Sequence, residues 1–224
     1  NENNEPLYPH KHTFEQLESI RQADRYTFAG QYMQTPAPDE GGEWRKEWFE
    51  IVTTSSLPKN IKWQMYIDGA YTKDTKNDPT GLQVSAKIGN NVYILSSIDK
   101  YLELPELVKF IPAYIESLGV NISMIYVEPK ASGKSLKQVL TDTTNLNVAE
   151  IKNNLVNVSK IERARTVSPY IESGRVKLIY GAWNGVFLDQ IAMFPNGKHD
   201  EHVDTTSYAV YKNLVKKVSR IELR

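Results

Sequence analysis

The sequence contains no cysteine, which excludes several kinds of chemistry at once. A chain without cysteine forms no disulfides, binds no zinc through thiolates and uses no thiol nucleophile, and it is compatible with an intracellular location. Long apolar runs are missing too: no segment approaches the roughly 20 residues that a membrane-spanning helix needs. The amino-terminal residues NENNEPLYPHKH lack the character of a signal peptide. These absences predict a soluble protein.

The chain also lacks net charge, because 27 basic residues balance 27 acidic ones. No overall field attracts a polyanion, so any binding of nucleic acid must come from local patches. A length of 224 residues with 40% hydrophobic content is enough for a sizeable core. A segment dense in proline and glycine, TPAPDEGGEWRKEWF, follows two helix-like stretches. We therefore predict an arm or linker over residues 1–50 and a single domain over residues 51–224.

The hydrophobic pattern of the main domain alternates between strand and helix. Three strands form a meander (IKWQMYIDG, GLQVSAKIG and NVYILSSID), and an amphipathic helix with Pro105 in its first turn and Gly119 at its end follows them. The apolar run ISMIYVE predicts a strand that is covered on both faces. The predicted order is β-β-β-α-β-α-(β)-α-β-α, closed by one long helix from His199 to the end. This order predicts an α/β fold with a mixed central sheet and helices on its faces.

The residues Gly133, Lys134 and Ser135 look at first like the end of a phosphate-binding loop. Such a loop needs a glycine five positions earlier, where its backbone N–H groups surround the phosphates. This chain has Glu128 there, and a carboxylate would repel the anion. The sequence thus contains no complete nucleotide-binding loop, and we predict that the GKS residues begin a helix.

Acidic residues occur where a sheet of this kind would gather them. Asp68 ends the first strand of the meander, Glu128 ends the later apolar strand, and Asp200, Glu201 and Asp204 begin the last helix. Oxygen ligands without a His/Cys set favour Mg²⁺ or Mn²⁺, and two such ions can promote phosphodiester cleavage. Each acid has a structural alternative: Asp68 as a turn residue, Glu128 as a strand terminus and the helix acids as partners of the helix dipole.

Several motifs, in order, resemble a known family. YIDGAYT, YVEPKASGKSL, SKIERARTVSPYIESGRVKL and FPNGKHDEHVDTTSYA are similar to the carboxyl-terminal nuclease domain of the large terminase subunit of tailed bacteriophages. EQLESIRQADRYTFAGQYMQTPAPDEGGEWRKEWF resembles the segment that joins that family's ATPase domain to its nuclease. The resemblance implies a ribonuclease H-like fold and a metal-dependent endonuclease that cuts concatemeric viral DNA during genome packaging.

The resemblance also implies a set of site residues. Asp68 and Glu128 match the first two acidic ligands of the family. The third ligand lies in the HDE-x-x-D stretch, where we favour Asp200, with Glu201 and Asp204 as alternates or as groups that support the ligands. Together these five acids would bind two ions of Mg²⁺ or Mn²⁺.

Basic residues near these motifs are candidates for contact with DNA phosphates, with a solvated helix face as the alternative. The candidates are Lys134, Lys160, Arg163 and Arg165. His199 and His202 flank the acidic cluster, where a surface or capping role is more typical than metal ligation, although one of them could orient a carboxylate.

The resemblance further implies double-stranded DNA as substrate. It implies a preceding ATPase domain, a small terminase subunit and a portal as partners, no membrane, and a location in the cytoplasm of the bacterial host. Two alternatives stay open: a different ribonuclease H-like nuclease such as a resolvase, and a non-catalytic docking module of the packaging motor that keeps its acids only as helix caps.

Overall fold

A computed structural model of the chain describes residues 11, 13–23, 42–71, 74, 78–129, 131–152 and 154–215. Seven strands form one mixed sheet in the order β1-β7-β4-β3-β2-β5-β6, in which β3 runs antiparallel to both of its neighbours and all other pairs are parallel. The strands are β1 Glu50–Val52, β2 Trp63–Asp68, β3 Thr80–Ile88, β4 Asn91–Lys100, β5 Ile122–Val127, β6 Val148–Glu150 and β7 Val176–Ile179.

Six α-helices accompany the strands in the described part of the chain, and none of them combines the length and apolarity needed to cross a membrane. The helices are α1 Phe14–Ala23, α2 Leu104–Leu118, α3 Ala131–Thr143, α4 Lys160–Glu172, α5 Asn184–Met193 and α6 Glu201–Leu214. The predicted α/β fold with a mixed sheet is confirmed. Helix α3 contains Gly133, Lys134 and Ser135, so the GKS residues do lie near the start of a helix.

Two hydrophobic cores cover the two faces of the sheet. Met65 and Ile67 of β2 pack with α2 and α3 on one face, and Tyr66 between them points to α4, α5 and α6 on the other. This alternation follows from the two-residue period of a strand. The sheet is therefore buried on both sides, as the apolar character of β5 predicted.

Side-chain caps mark the starts of two helices, and the predicted end of a third at Gly119 is confirmed. In α1, the N–H of Thr13 donates to Gln16 Oε1 at 3.0 Å and the N–H of Gln16 donates to Thr13 Oγ1 at 3.3 Å. At α4, Ser159 Oγ accepts a hydrogen bond from the N–H of Glu162 at 3.2 Å. Helix α2 ends at Gly119, whose φ of 63° lies in the left-handed region that glycine adopts without strain.

Other predictions from the sequence differ from the structure or lie outside it. Strand β1 and helix α5 were not predicted: β1 has only three residues, too few for a period, and α5 begins after Trp183, whose side chain makes no capping hydrogen bond. The last helix begins at Glu201 and ends at Leu214, whereas a helix to residue 224 was predicted; residues 216–224 lie outside the described part. The second of the two helix-like stretches before the proline- and glycine-rich segment, RYTFAGQYMQ at residues 25–34, also falls outside the described residues.

The segment before β1 packs onto the domain. Trp44 is fully buried, and its Nε1 donates to Ser168 Oγ of α4 at 3.0 Å. The ring of Phe49 lies 6.1 Å from that of Trp44 and 5.5 Å from that of Phe187 in α5. Residues 42–49 therefore share the core of α4 and α5, while the predicted division at residue 50 stays a prediction.

We expect Trp44→Ala to lower the free energy of unfolding by about 3–5 kcal/mol, because it leaves a large cavity in that core. Urea unfolding at pH 7 measures the change. Tyr180→Ala is the matched control, since that ring is 77% exposed and its loss should leave stability near that of the parent. Equal stability of the two variants would show that residues 42–49 do not belong to the cooperative unit.

Candidate metal centre

Asp68 and Glu128 lie side by side at the carboxyl ends of two adjacent parallel strands. Ile67 of β2 is paired with Val127 of β5, and the N–H of Glu128 donates to the carbonyl of Ile67 at 3.1 Å. Both acids are buried. Burial first, and then the charges of Asp68 and Glu128, raise the pKa of the nearby Tyr71 hydroxyl. The sheet thus brings together two acids that are far apart in the chain.

Asp204 of α6 joins this pair through a buried arginine. Arg163 Nη1 of α4 lies 2.7 Å from Asp204 Oδ1 and 3.7 Å from Glu128 Oε1, and its guanidinium carbon lies 4.5 Å from the centre of the Tyr208 ring. The Tyr208 hydroxyl donates to Glu128 Oε1 at 2.6 Å. Asp204 is only 1% exposed and Arg163 only 5%. One guanidinium therefore holds carboxylates from a strand end and a helix in a fixed relation.

Asp200 lies nearer to the surface and contacts a second cation. Lys160 Nζ is 2.5 Å from Asp200 Oδ1 and 3.4 Å from Asp204 Oδ2. Burial by itself lowers the pKa of Lys160, but the attraction of Asp204 and Asp200, with a smaller contribution from Asp68, raises it overall. Lys160 is thus a charged link between Asp68 and the two acids at the start of α6.

The residues around Arg163 and Lys160 fit a divalent cation. Burial raises the pKa of Asp204, and the charges of Arg163 and Lys160 oppose that rise. Asp68, Glu128 and Asp204 offer only carboxylate oxygens, the ligands that Mg²⁺ and Mn²⁺ prefer. These acids are close enough together that Arg163 and Lys160 are needed to balance their negative charge. A site with this charge and with carboxylate oxygens suits a divalent metal ion.

Glu201 lies over β3, away from Glu128. Its Cβ would come within 2.7 Å of a Cβ at Gly81, so only glycine leaves room for α6 at this point. Gln190 Nε2 of α5 is 3.4 Å from Glu201 Oε2 and 3.0 Å from Asp99 Oδ2. Burial, followed by the charges of Asp99, Asp200 and Asp78, raises the pKa of Glu201 to about 8.

His202 is part of a buried hydrogen-bond network beneath α6. Its Nδ1 lies 2.9 Å from Ser97 Oγ, and its Nε2 lies 3.5 Å from Asp99 Oδ2. Gln83 Oε1 of β3 accepts a 2.7 Å hydrogen bond from Thr206 Oγ1 in the same layer. Burial lowers the pKa of His202 to about 3, so the ring is neutral at physiological pH. The His202 ring thus lies between α6 and β4 and does not face the acids around Arg163.

The four basic candidates for DNA contact divide into two pairs. Lys134 and Arg165 are exposed, and Arg165 forms an ion pair with Glu43 at 2.6 Å. Lys160 and Arg163 instead point to the acids. A phosphate could reach Arg163 only after the guanidinium left Asp204, so the predicted DNA contact of that residue requires a rearrangement of the site.

Three residues that lie near the acidic side chains were not predicted from the sequence. Tyr208 lies one turn after Asp204 on the same helix, and this i,i+4 spacing was the available signal. Asp99 lies near the carboxyl end of β4, which runs parallel to β2, so the strand-end rule that selected Asp68 also applies to it. Gln190 carried no signal, because α5 itself was not predicted.

A mixed sheet with one antiparallel strand, helices on both faces and acids at the ends of adjacent parallel strands defines a ribonuclease H-like domain. The sequence profile of the family described as "Terminase RNaseH-like domain" matches residues 65–213. The chain therefore belongs to this family, and the predicted family resemblance is confirmed. No curated protein sequence matches the chain.

Solved structures of terminases share this fold. A large terminase from a thermophilic bacteriophage is 15% identical, with a TM-score of 0.56 over 77% of this chain and 43% of its own. The large terminase nuclease of the thermophilic phage G20c with bound magnesium is 12% identical, with a TM-score of 0.55 over 78% of this chain and 99% of its own. The human cytomegalovirus terminase nuclease domain, soaked with Mn and bound to an inhibitor, is 14% identical, with a TM-score of 0.51 over 82% and 99%. The chain thus spans less than half of the first of these proteins, and these likenesses establish the fold.

We expect Arg163→Met to lower the free energy of unfolding by about 3–5 kcal/mol in the presence of chelator, because it leaves the buried Asp204 without its main counter-charge. Arg165→Met is the matched control on the same helix: its exposed ion pair contributes little, so the variant should unfold like the parent. Urea unfolding at pH 7 measures both. A loss at Arg163 no larger than that at Arg165 would contradict the buried ion pair.

The raised pKa of Glu201 should make the stability of the fold depend on pH. Its pKa is about 8 in the folded protein against an ordinary value of 4.5, so the folded state retains a proton that the unfolded chain releases. The resulting stability is complete below pH 4.5 and is lost as the pH rises through about 8.

We therefore expect the free energy of unfolding, measured in chelator, to decline from about pH 5 to about pH 8.5, and to decline less steeply in Glu201→Gln. The amide of glutamine stays neutral throughout this range, whereas Asp99 and His202 are present in both proteins. Parallel pH profiles of parent and variant would contradict the raised pKa of Glu201.

Proposed function

We propose that this chain is the nuclease domain of a large terminase subunit and that it hydrolyses phosphodiester bonds of double-stranded DNA with divalent metal ions. The observation that supports this most is the convergence of Asp68, Glu128 and Asp204 at the carboxyl ends of β2 and β5, in a chain of the terminase ribonuclease H-like family. A metal ion bound by these acids would activate a water and stabilise the leaving oxygen.

The geometry favours Asp204 over Asp200 as the third ligand, the reverse of the preference drawn from the sequence. Asp204 shares Arg163 with Glu128, whereas Asp200 precedes the first residue of α6 and pairs with the half-exposed Lys160. In the proposed site, Asp68, Glu128 and Asp204 bind metal, and Asp200 positions Lys160.

Protein groups around the acids fix their orientation. The hydroxyl of Tyr208 holds one oxygen of Glu128, and the guanidinium of Arg163 holds one oxygen of Asp204. Both acids thereby keep their side chains turned toward each other. Lys160 lies at the surface side of the site, where its ammonium can move from Asp200 to a phosphate of bound DNA. Lys134 and Arg165 are further candidates for contact with the DNA backbone.

The magnesium in the G20c nuclease and the Mn soak of the cytomegalovirus domain support Mg²⁺ or Mn²⁺ as cofactors here, and we propose two ions. We also propose that the full protein carries an ATPase domain, works with a small terminase subunit and a portal, and cuts concatemeric viral DNA in the cytoplasm of a bacterial host. The likeness to the large terminase of a thermophilic bacteriophage covers 43% of that protein, which supports a longer parent protein.

We expect the purified chain to nick or linearise supercoiled plasmid with Mg²⁺ or Mn²⁺ and to be inactive in EDTA. Asp68→Asn and Asp204→Asn should each lower the rate by at least about a hundredfold, since even the groups that orient a ligand are worth about 10–100-fold. Asp200→Asn should retain more activity than Asp204→Asn. Asp142→Asn, an exposed acid in the last turn of α3, is the matched control and should cut like the parent.

Cleavage that persists in EDTA would exclude metal catalysis. Full activity of both Asp68→Asn and Asp204→Asn would refute the nuclease site. A folded chain that binds DNA or a motor component without cutting under any metal would favour the docking module. Thermal unfolding of each variant in EDTA tests whether the variant is still folded, so that a loss of activity can be assigned to the site and not to a loss of structure.

A further inference from the structure

Tyr71 follows the end of β2 in a strained backbone conformation. Its φ of 53° lies in the left-handed region, where a bulky side chain crowds its own backbone. The ring turns back over the chain, because a Cβ at Gly69 would come within 2.1 Å of Tyr71 Cε1 and 2.6 Å of the hydroxyl oxygen. Only glycine at position 69 therefore leaves room for the ring where it stands.

Two contacts hold Tyr71 in this position. Its N–H donates to Oγ1 of the buried Thr80 in β3 at 3.3 Å. Its ring packs against the core that β2 shares with α2 and α3. A backbone outlier persists only where its surroundings maintain it, and such outliers are concentrated at functional sites. The strain at Tyr71 therefore points to a role beyond packing.

The hydroxyl of Tyr71 is a buried donor that is not used within the described part of the chain. It is inaccessible to solvent and has no hydrogen-bond partner there. Asp68 and Glu128 lie near it, since their charges, after burial, raise the pKa of this hydroxyl. A buried polar group without a partner is costly, and a catalytic role is one reason for which native proteins retain such a group.

The two tyrosines beside the acids differ in what their hydroxyls contact. Tyr208 donates to Glu128 Oε1 at 2.6 Å and so orients a carboxylate. Tyr71 donates to neither Asp68 nor Glu128, although it stands beside both. Both acids are buried like the hydroxyl, so a ligand that reaches the acids also reaches Tyr71. The hydroxyl is thus placed to bind a ligand of the acids and not the acids themselves.

We propose that Tyr71 is a catalytic residue whose hydroxyl donates a hydrogen bond to a non-bridging oxygen of the DNA phosphate that is cut. The proposal rests on the proposed nuclease function of Asp68, Glu128 and Asp204. The phosphate oxygens carry the negative charge of the transition state, and a donor fixed in advance stabilises that charge without reorganisation. A neutral hydroxyl suits this place, because it neither repels a divalent ion nor forms an ion pair with the carboxylates.

The test compares the parent with Tyr71→Phe, which loses only the hydroxyl. At saturating plasmid and Mn²⁺, kcat for nicking should fall about 10–100-fold, which is the weight of a hydrogen bond to a charged group. The KM for DNA and the affinity for Mn²⁺ should match those of the parent, because the bond matters most in the transition state. Tyr93→Phe is the matched control and should cut like the parent, since Tyr93 lies near the start of β4, at the other end of the strands from Asp68.

Phosphorothioate DNA tests which atom the hydroxyl contacts. Sulfur at a non-bridging position accepts a weaker hydrogen bond than oxygen. In duplexes made with each phosphorothioate stereoisomer, one isomer should slow the parent more than it slows Tyr71→Phe, because the variant has already lost that bond. A purely structural role of Tyr71 would leave the effect of sulfur equal in the two proteins.

Urea unfolding in EDTA provides a measurement that does not depend on cutting. Tyr71→Phe should be at least as stable as the parent, because it removes a buried hydroxyl without a partner among the described residues. Lower stability would show that the hydroxyl supports the fold and would overturn the inference, and so would an unchanged kcat or equal effects of sulfur.

The two proposals fail in different ways. If Asp68→Asn abolishes cutting while Tyr71→Phe cuts like the parent, the nuclease centre stands and only the role of Tyr71 is refuted. If the parent does not cut, or cuts without needing Asp68, the nuclease centre is refuted and the role of Tyr71 with it.

Discussion

The buried ion pair between Arg163 and Asp204 is the interaction on which the arrangement of the site depends. Both groups are almost fully buried, and a buried charge is tolerated only when it is paired and hydrogen-bonded. Because Arg163 also approaches Glu128, the pair connects α4, α6 and the end of β5. A divalent ion would compensate the same carboxylates, so the charge balance of the folded domain and its metal chemistry depend on one set of residues.

Helix α6, which carries Asp204, also contacts most of the central strands. It packs against β2, β3, β4, α4 and α5, and its first three turns are buried all round. Many of these residues are polar, and two threonines among them have clear partners: Thr206 donates to Gln83 of β3, and Thr205 donates to the carbonyl of Glu201 one turn earlier. The glycine at position 81 allows the helix to lie close to β3. These contacts fix both the rotation and the depth of the helix, which decide where each of its acids points.

Helix α4 connects the site with the segment that precedes the domain. Lys160 and Arg163 in its first turns contact the acids, and Arg165 and Ser168 contact Glu43 and Trp44. Residues on successive turns of one rigid helix thus bind two parts of the protein. The position of the segment before β1 is in this way coupled, through a single element, to the position of the cations that neutralise Glu128 and Asp204.

Local patterns in the sequence determined the class of fold and part of the site. Alternating apolar residues, the boundary at Gly119 and the cap at Ser159 specify strands and helices through short-range contacts, so they are readable without a structure. The position of Asp68 and Glu128 at strand ends follows from the same patterns. Strand β1 and helix α5 were not readable, because so short a strand contains no period, and α5 lacks a side-chain cap at its start and depends on what it packs against.

Only the tertiary structure decided which side chains meet. The sequence offers Asp200, Glu201 and Asp204 as near-equal candidates, and the rotation of α6 against the sheet separates them, one toward Lys160, one over Gly81 and one toward Glu128. Arg163 reads as a surface residue in a basic segment, yet α4 buries it against acids that are distant in the chain. Such encounters depend on long-range packing and on the balance of buried charge, neither of which a local pattern contains.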